Sequence, residues 1–312
     1  MINADSISLT IKIKKNILAA GFDVCGFTDT AALPEEQQRF FKQWLSNNYH
    51  ADMRYMEKNL EKRLHPTLLV EGAKSIIVVA LNYFSKQTPP STYRISKYAY
   101  SKDYHDVIKQ KLAQVVQQIP ELKNDPVLRI FTDSAPLAER FLAVKSGIGF
   151  IGKNNSLIIP QKGSFFFLAE IVTSLALQPD KPFSKQRCGR CTRCLDACPT
   201  GALTAPFTLN AQKCITYQTI ENKHDTVTTS SKSDDEKWIF GCDICLNACP
   251  WNRFALPHST DDFQPNETLL TMTDADWENL SEERFQTLFK KSPLKRAGYE
   301  KVMKNVAICR NL

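Results

Sequence analysis

The cysteines constrain this chain more than any other feature, because most of them fall in one short stretch. Of ten cysteines in 312 residues, eight lie between positions 188 and 249. A first run has the spacing C-x2-C-x2-C-x3-C, a second has C-x2-C-x3-C, and a proline follows each run. The two runs and the single cysteine between them are Cys188, Cys191, Cys194 and Cys198, then Cys214, then Cys242, Cys245 and Cys249.

This spacing favours iron–sulfur chemistry. The first residues lack a basic stretch followed by an apolar one, so we expect no export signal and a cytoplasmic location, where disulfides are rare. Metal binding is then the expected role of the thiols. Zinc usually takes two separated cysteine pairs, whereas four cysteines in one run ending in Cys-Pro match the bacterial [4Fe–4S] pattern. We expect two [4Fe–4S] clusters, with zinc as the alternative.

The ligands can be assigned from the ferredoxin rule that the fourth cysteine of each run binds the other cluster. One cluster is then expected on Cys188, Cys191, Cys194 and Cys249. Because Ile239 stands where the second run should begin, the spare thiol Cys214 is expected to complete the other cluster. That cluster would use Cys198, Cys214, Cys242 and Cys245. Cys25 and Cys309 are left over and are expected to be small buried hydrophobic residues.

Apolar periodicity divides the chain into three segments. Alternating strands and helices in residues 1–180 predict an α/β or α+β core. Within it, the β-branched run 75–81 is typical of a strand buried on both faces. Residues 181–255 form the cysteine module, in which the polar stretch 222–236 is expected to be a loop, and residues 256–312 form a helical tail. No apolar run is long enough to cross a membrane.

The positive charge is concentrated at the end of the sequence. The formal net charge is +7, and residues 290–312 hold seven Lys or Arg against one Glu (7 − 1 = +6). A basic tail of this kind indicates a polyanionic partner, most often nucleic acid. The alternative is a solvated surface helix.

Asp133 is the candidate acid of the core, because it follows the predicted strand 127–131. A carboxyl group at a strand end could remain protonated if partly desolvated, and so donate a proton. The alternative is that Asp133 caps the helix predicted from about Pro136. Glu139 and Arg140 are expected to be a surface ion pair, and the five scattered histidines are expected to be structural.

Together the motifs resemble one family, the epoxyqueuosine reductases. The resemblance rests on segments in order along nearly the whole chain: Ile95–His105, Phe131–Arg140, Gly147–Asn154, Gly163–Glu170, Cys188–Ala202, Cys214–Glu221 and Gly241–Asn252. It implies a nitroreductase-like core that binds base-off cobalamin, a two-cluster ferredoxin module and a short C-terminal helical-repeat-like tail. The tail looks abbreviated compared with that of the family.

The resemblance also implies a reaction and its residues. The epoxide of epoxyqueuosine, at the wobble position of tRNA, would be reduced to queuosine, with Asp133 as proton donor and an external low-potential electron donor. We expect a monomer. The expected cobalamin contacts are Arg63, Lys97, Tyr98, Asp133, Lys153, Asn154, Thr216, Gln218 and Asp243, and the expected tRNA contacts are Lys295, Arg296, Lys301 and Lys304.

Three other functions remain open from the sequence. A cobalamin-dependent reductive dehalogenase would share the cofactors, although it has no use for a basic tail. A ferredoxin-like electron carrier would need only the cysteine module. A zinc-binding RNA-binding protein would use the same cysteines without redox chemistry.

Overall fold

The structure, a computed structural model, describes residues 3–224 and 237–311. Most of the predicted polar loop, residues 225–236, lies outside the described residues. The strands of the described chain are β1 (Val24–Asp29), β2 (Ser75–Asn82), β3 (Tyr93–Ile95), β4 (Arg129–Phe131), β5 (Phe150–Ile151), β6 (Leu157–Ile158), β7 (Phe166–Thr173), β8 (Leu203–Ala205), β9 (Thr208–Leu209) and β10 (Lys237–Phe240).

The helices surround these strands and continue to the end of the described chain. They are α1 (Ala4–Ala19), α2 (Glu35–Ser46), α3 (Tyr55–Lys58), α4 (Leu60–Leu64), α5 (Tyr104–Gln118), α6 (Pro120–Lys123), α7 (Glu139–Lys145), α8 (Arg193–Ala197), α9 (Ile244–Asn247), α10 (Glu267–Thr271), α11 (Asp274–Glu278), α12 (Glu282–Phe289), α13 (Leu294–Ala297) and α14 (Tyr299–Arg310). Residues Tyr217–Glu221 form a π-helical turn. None of the helices in the described ranges is both long and apolar enough to cross a membrane.

The central sheet has the order β1-β2-β7-β4, and every neighbouring pair in it is antiparallel. Of the two expected classes, the sheet is therefore that of an α+β fold. Its longest pairing joins β2 to β7 from Ser75 opposite Thr173 to Asn82 opposite Phe166. β4 is short and forms an edge, and its last residue Phe131 lies opposite Glu170.

Strand β2 is buried on both faces, as the sequence predicts, because its side chains alternate between two cores. Ile77, Val79 and Leu81 pack with α1 and α5 on one face. Ile76, Val78 and Ala80 pack with α7 on the other. The two leftover cysteines are also buried as expected: Cys25 lies in the first of these cores and Cys309 in the C-terminal core, each 3% exposed.

The C-terminal helices do not form a detached tail. They share a core with β3 and β10, in which Trp277 stacks on Phe289 with ring centroids 5.9 Å apart. Asn305 on α14 is 2% exposed, and its Nδ2 donates hydrogen bonds to the carbonyl oxygens of Thr219 and Ile239, each at 2.9 Å. One side chain therefore joins the last helix to the cysteine module at two points.

We expect Asn305→Ala to lower the free energy of unfolding by about 2–4 kcal/mol, because two buried carbonyl groups lose their donor. Urea unfolding followed by circular dichroism measures the change. Arg310→Ala is the control on the same helix: its exposed guanidinium is 3.7 Å from Glu278, a pair that contributes about 0–1 kcal/mol. Equal effects of the two substitutions would contradict the role given to Asn305.

Candidate functional site

The cysteines predicted to share the first cluster line one small cavity. Cys188, Cys191, Cys194 and Cys249, the first sulfur quartet, surround a cavity of about 20 Å³ together with Lys153, Asn154 and Trp251. Three of these cysteines come from the first run and one comes from the end of the second. The structure thus brings together the crossed set that the ferredoxin rule predicts.

The other four cysteines, the second sulfur quartet, are Cys198, Cys214, Cys242 and Cys245. Burial raises the pKa of the Cys245 thiol to about 12, and the nearby sulfurs of Cys214 and Cys198 raise it as well. Burial also raises the pKa of Cys242, with Cys245 and Cys214 adding to the shift. Cys214, the spare thiol, therefore lies close to the three cysteines with which it is predicted to bind the second cluster. Because iron binds thiolates, cluster assembly here must release protons.

The two quartets differ from a mononuclear metal site. Within residues 3–224 and 237–311, no three Cys, His, Asp or Glu side chains converge as closely as one metal ion requires.

Two side chains of the core hold the loops that carry the cysteines. The Lys153 ammonium donates to the carbonyl oxygens of Gly189 (2.7 Å) and Cys191 (3.0 Å). Asn154 Nδ2 donates to the carbonyl of Cys245 at 3.3 Å. Lys153 therefore contacts the first cysteine run, and Asn154 contacts the second.

Two large cavities meet at Asp133. One has a volume of about 400 Å³ and the other about 650 Å³, within the roughly 300–1,000 Å³ of typical small-molecule sites. Asp133, Tyr104, Phe166 and Phe167 line both cavities. The aromatic residues come from the start of α5 and the start of β7, so the junction lies at one end of the central sheet.

Asp133 is held by contacts on both its side chain and its backbone. The Tyr104 hydroxyl donates a 2.6 Å hydrogen bond to Asp133 Oδ2, and the Asp133 N–H donates to Glu139 Oε1 at 2.8 Å. Its φ of 48° lies in the left-handed region, which non-glycine residues rarely adopt. The alternative role as a helix cap is wrong, because α7 begins at Glu139 after Ala138.

The surroundings of Asp133 differ from the expected desolvated site. Its side chain is 63% exposed and faces the cavities. The protein alone therefore does not desolvate the carboxyl group. Burial and then the charge of Asp133 raise the pKa of Tyr104 far above its ordinary value, so this phenol keeps its proton and remains a donor.

His105, which the sequence predicts to be structural, lies beside Asp133. Its ring is 5% exposed and lines the smaller of the two cavities, with Nε2 3.9 Å from Asp133 Oδ2. Its Nδ1 lies 2.7 Å from Asp103 Oδ1, and Arg296 Nε donates to the other oxygen of Asp103 at 3.1 Å. The signal in the sequence was that His105 follows Tyr104 in the first turn of α5, which lies at one end of the central sheet.

Glu139 and Arg140 do not form the predicted surface ion pair. The Glu139 carboxylate accepts from the backbone of Asp133, and the Arg140 guanidinium donates to the carbonyl of Asn155. Burial, and then the charge of Asp133, raise the pKa of Glu139 to about 8. Burial, with the charges of Glu139 and Asp133, also raises the pKa of Glu170, which is fully buried on β7. Glu139 and Glu170 are thus two carboxyl groups near Asp133 whose raised pKa values favour the protonated form.

The predicted cobalamin contacts fall in several places. Tyr98 and Thr216 line the smaller Asp133 cavity and Arg63 lines the larger one, whereas Lys153 and Asn154 line the first-quartet cavity. Asp243 Oδ2 accepts the backbone N–H of Lys97 at 2.8 Å, which joins these two next to the second sulfur quartet. Gln218 is buried, and its Nε2 donates to the carbonyl of Gln212 at 3.2 Å. The structure brings three of the residues together with Asp133.

The predicted tRNA contacts are also not equivalent. Lys295 and Arg296 are exposed, and Arg296 lines the Asp133 cavity. Lys301 is half-buried: its ammonium donates to the carbonyl of Asn222 at 2.7 Å, and burial lowers its pKa. Lys304 is half-buried as well.

Removing the spare thiol tests the crossed arrangement. We expect Cys214→Ala to lose about half of the iron, because only the second sulfur quartet loses a ligand. Iron and acid-labile sulfide, counted per chain after anaerobic reconstitution, measure this. Cys25→Ala is the matched control and should keep all of its iron, since Cys25 lies in the core formed with α1 and α5. Full iron in Cys214→Ala would refute the assignment.

The raised pKa of Glu139 predicts a pH-dependent stability. Between the ordinary carboxyl pKa near 4.5 and about 8, the folded protein holds this proton and the unfolded chain does not. Stability therefore falls as pH rises through this range, by at most about 1.4 kcal/mol per pH unit. Glu139→Gln should flatten the decline of the melting temperature between pH 6 and 8. The exposed Glu121→Gln should leave the decline as it is, and parallel curves for all three proteins would show that Glu139 does not titrate here.

Comparison with known families identifies both halves of the site. A family model described as a 4Fe-4S double cluster binding domain matches residues 187–252, which contain both sulfur quartets. A second, described as Epoxyqueuosine reductase QueG, DUF1730, matches residues 63–134 and ends one residue after Asp133. The chain therefore has a double-cluster module, which removes the zinc alternative.

Whole-chain comparisons agree. An epoxyqueuosine reductase of Cellulophaga algicola is 45% identical over 94% of this chain and 95% of its own. The solved Streptococcus thermophilus epoxyqueuosine reductase superposes with a TM-score of 0.83 at 28% identity, covering 97% of this chain and 81% of that one. An epoxyqueuosine reductase solved with a tRNA-Tyr epoxyqueuosine-modified stem loop gives 0.82 at 28%, with 97% and 80% covered. This chain is also 46% identical to the Leadbetterella byssophila epoxyqueuosine reductase, over 96% of its own length and 98% of that relative. The chain therefore belongs to the epoxyqueuosine reductase family of oxidoreductases.

Proposed function

We propose that this protein reduces the epoxide of epoxyqueuosine, at the wobble position of tRNA, to the alkene of queuosine, with two [4Fe–4S] clusters and cobalamin. The observation that carries the proposal is the position of Asp133. It is hydrogen-bonded to Tyr104 where two large cavities meet, and residues next to the second sulfur quartet line one of them. A proton-donating group, a substrate-sized space and an electron source are thus combined.

The lining of the smaller Asp133 cavity has the chemistry that a corrin would require. Its lining combines aromatic faces such as Phe167 and Phe240 with the polar groups of Tyr98 and Thr216. Thr216 lies two residues after Cys214, so the second sulfur quartet would be the electron source nearest to the cofactor. When bound, cobalamin supplies the low-potential reducing chemistry that opens the epoxide. Tyr98 and Thr216, with Lys97 and Asp243 behind them, are the residues we assign to holding it, together with Arg63 from the wall of the larger cavity.

Asp133 would deliver a proton to the oxygen released when the epoxide opens. Tyr104 orients the carboxyl group through its hydrogen bond to Oδ2, and Glu139 fixes the backbone in its left-handed conformation. A solved relative from Bacillus subtilis is described with its catalytic aspartate loop swung out of the active site, which supports the same role for the loop after β4. His105, held by Asp103, lies beside Asp133 with Nε2 3.9 Å from Oδ2 and forms part of the wall of the smaller cavity.

The anticodon arm of the tRNA would approach over the C-terminal helices, and the activity would take place in the cytoplasm. Arg296 lines the Asp133 cavity, and Lys290, Lys291 and Lys295 are exposed close to it in sequence. Phosphate contacts from such residues position RNA and make its binding sensitive to salt. The wobble nucleotide would leave the stacked loop to enter the cavity.

The test is an anaerobic assay with tRNA that carries epoxyqueuosine. The reconstituted protein, given cobalamin and dithionite, should convert the nucleoside to one lacking a single oxygen atom, as seen by mass spectrometry of the digested tRNA. No conversion by a protein with full iron content and bound corrin would refute the proposed function.

Asp133→Asn should keep its iron and its corrin and lose turnover by about 100-fold or more, the usual contribution of a positioned acid. The amide preserves the size of the side chain and can still meet Tyr104, so folding is expected to be unchanged. Glu121→Gln, an exposed carboxyl group paired with Lys12, serves as the control with normal turnover. Wild-type turnover in Asp133→Asn would remove this residue from the mechanism.

A further inference from the structure

The first cysteine run contains a second pattern, made of arginines. Arg187, Arg190 and Arg193 directly precede Cys188, Cys191 and Cys194, so a cation flanks each cysteine that the first run gives to the first sulfur quartet. In the second run the residues before the cysteines are Gly241, Ile244 and Ala248. The metal-binding spacing requires no arginine, so the pattern has to be explained separately.

These cations are exposed and are not used by the fold. The side chains of Arg187, Arg190 and Arg193 are exposed, as are Lys181 and Lys185 just before them. Within the described ranges none of the five forms an ion pair; Arg187 only lies over the Phe183 ring, at 5.5 Å. The acidic residue in this stretch, Asp196, accepts a hydrogen bond from Thr192, so residues 181–198 carry a net charge of +4 (5 − 1).

The second sulfur quartet has the opposite surroundings. Asp243, between two of its cysteines, is 3% exposed and accepts the backbone N–H of Lys97. Burial raises the pKa of Tyr83, which lines the Asp133 cavity, and the charge of Asp243 raises it further. The second quartet therefore lies toward the cavity, while the first is bordered by exposed positive charge.

We propose that this basic rim, formed by Lys181, Lys185, Arg187, Arg190 and Arg193, is the docking surface for a small acidic one-electron carrier protein. The proposal rests on the proposed function and assigns its electron donor. Tunnelling between redox centres weakens steeply with distance, so the donor must come close to the first quartet. A rim of unpaired cations around that quartet attracts an acidic carrier, and such complementarity raises association rates about 10- to 1,000-fold.

The electrons balance over two docking events. Each reduced carrier would lose one electron, which a cluster held by the first sulfur quartet would accept and pass to a cluster held by the second. Two electrons and two protons then convert the epoxide to the alkene and one water molecule. One proton comes through Asp133 and the other from solvent. A carrier that delivers single electrons thus suits a pair of one-electron clusters.

The experiment follows reduction of the clusters by stopped-flow absorbance in the reconstituted full-length protein, with a reduced acidic [2Fe–2S] ferredoxin as the probe. The variant is Arg187→Gln/Arg190→Gln/Arg193→Gln. Its control is Lys74→Gln/Lys123→Gln/Lys15→Gln, which removes three exposed positive charges outside the cysteine module. We expect the second-order rate constant at low salt to fall at least 10-fold in the variant only, and its salt dependence to flatten. Reduction by dithionite should stay within 2-fold of the parent.

Other outcomes overturn the proposal. An unchanged rate constant does so, and so does a loss of affinity for an anticodon stem loop without a change in the ferredoxin rate, which would make the rim an RNA contact. A shifted cluster potential with an unchanged salt dependence would limit the arginines to tuning the cluster. Conversion of epoxyqueuosine with dithionite is measured in parallel. If conversion persists while the rim proves inert, only the docking surface is wrong, whereas absent conversion in every protein counts against the proposed function.

Discussion

Neither sulfur quartet can be assembled from one stretch of the chain. The first takes Cys249 from the second run, and the second takes Cys198 from the first run together with Cys214 from between them. The two runs must therefore be side by side before either set is complete. The folding of the cysteine module therefore depends on the folding of the segments that hold the two runs in place.

The core provides that support through a few polar side chains. Lys153 and Asn154, on the loop between β5 and β6, bond to backbone carbonyls of the first and second runs. Asn252 closes the other side: its Oδ1 accepts the backbone N–H of Ser164 at 2.7 Å, and its Nδ2 donates to the Leu246 carbonyl at 2.7 Å. Lys153, Asn154 and Asn252 belong to segments on which the family resemblance rests. Those matches therefore have a structural reason, since these residues hold the cysteine runs in place.

Much of this could be predicted from the sequence because the responsible signals are local. The cysteine spacing predicts the crossed quartets, and the β-branched run predicts β2 within one residue at its end. The antiparallel order of the sheet could not be predicted, since a strand buried on both faces has the same composition in either kind of sheet. The place of His105 in the cavity wall could not be predicted, because its neighbour Asp133 is distant in sequence. Asp133 follows β4 as predicted, although its left-handed backbone leaves no mark in composition.

The last helix carries a consequence for oxidative damage. Through Lys301 and Asn305, α14 is bonded to Asn222 and Thr219, in the segment that follows Cys214. Oxygen attack on the second cluster would free that cysteine and loosen the turn to which the helix is attached. Damage to the inorganic centre would thereby also loosen the packing of the last helix.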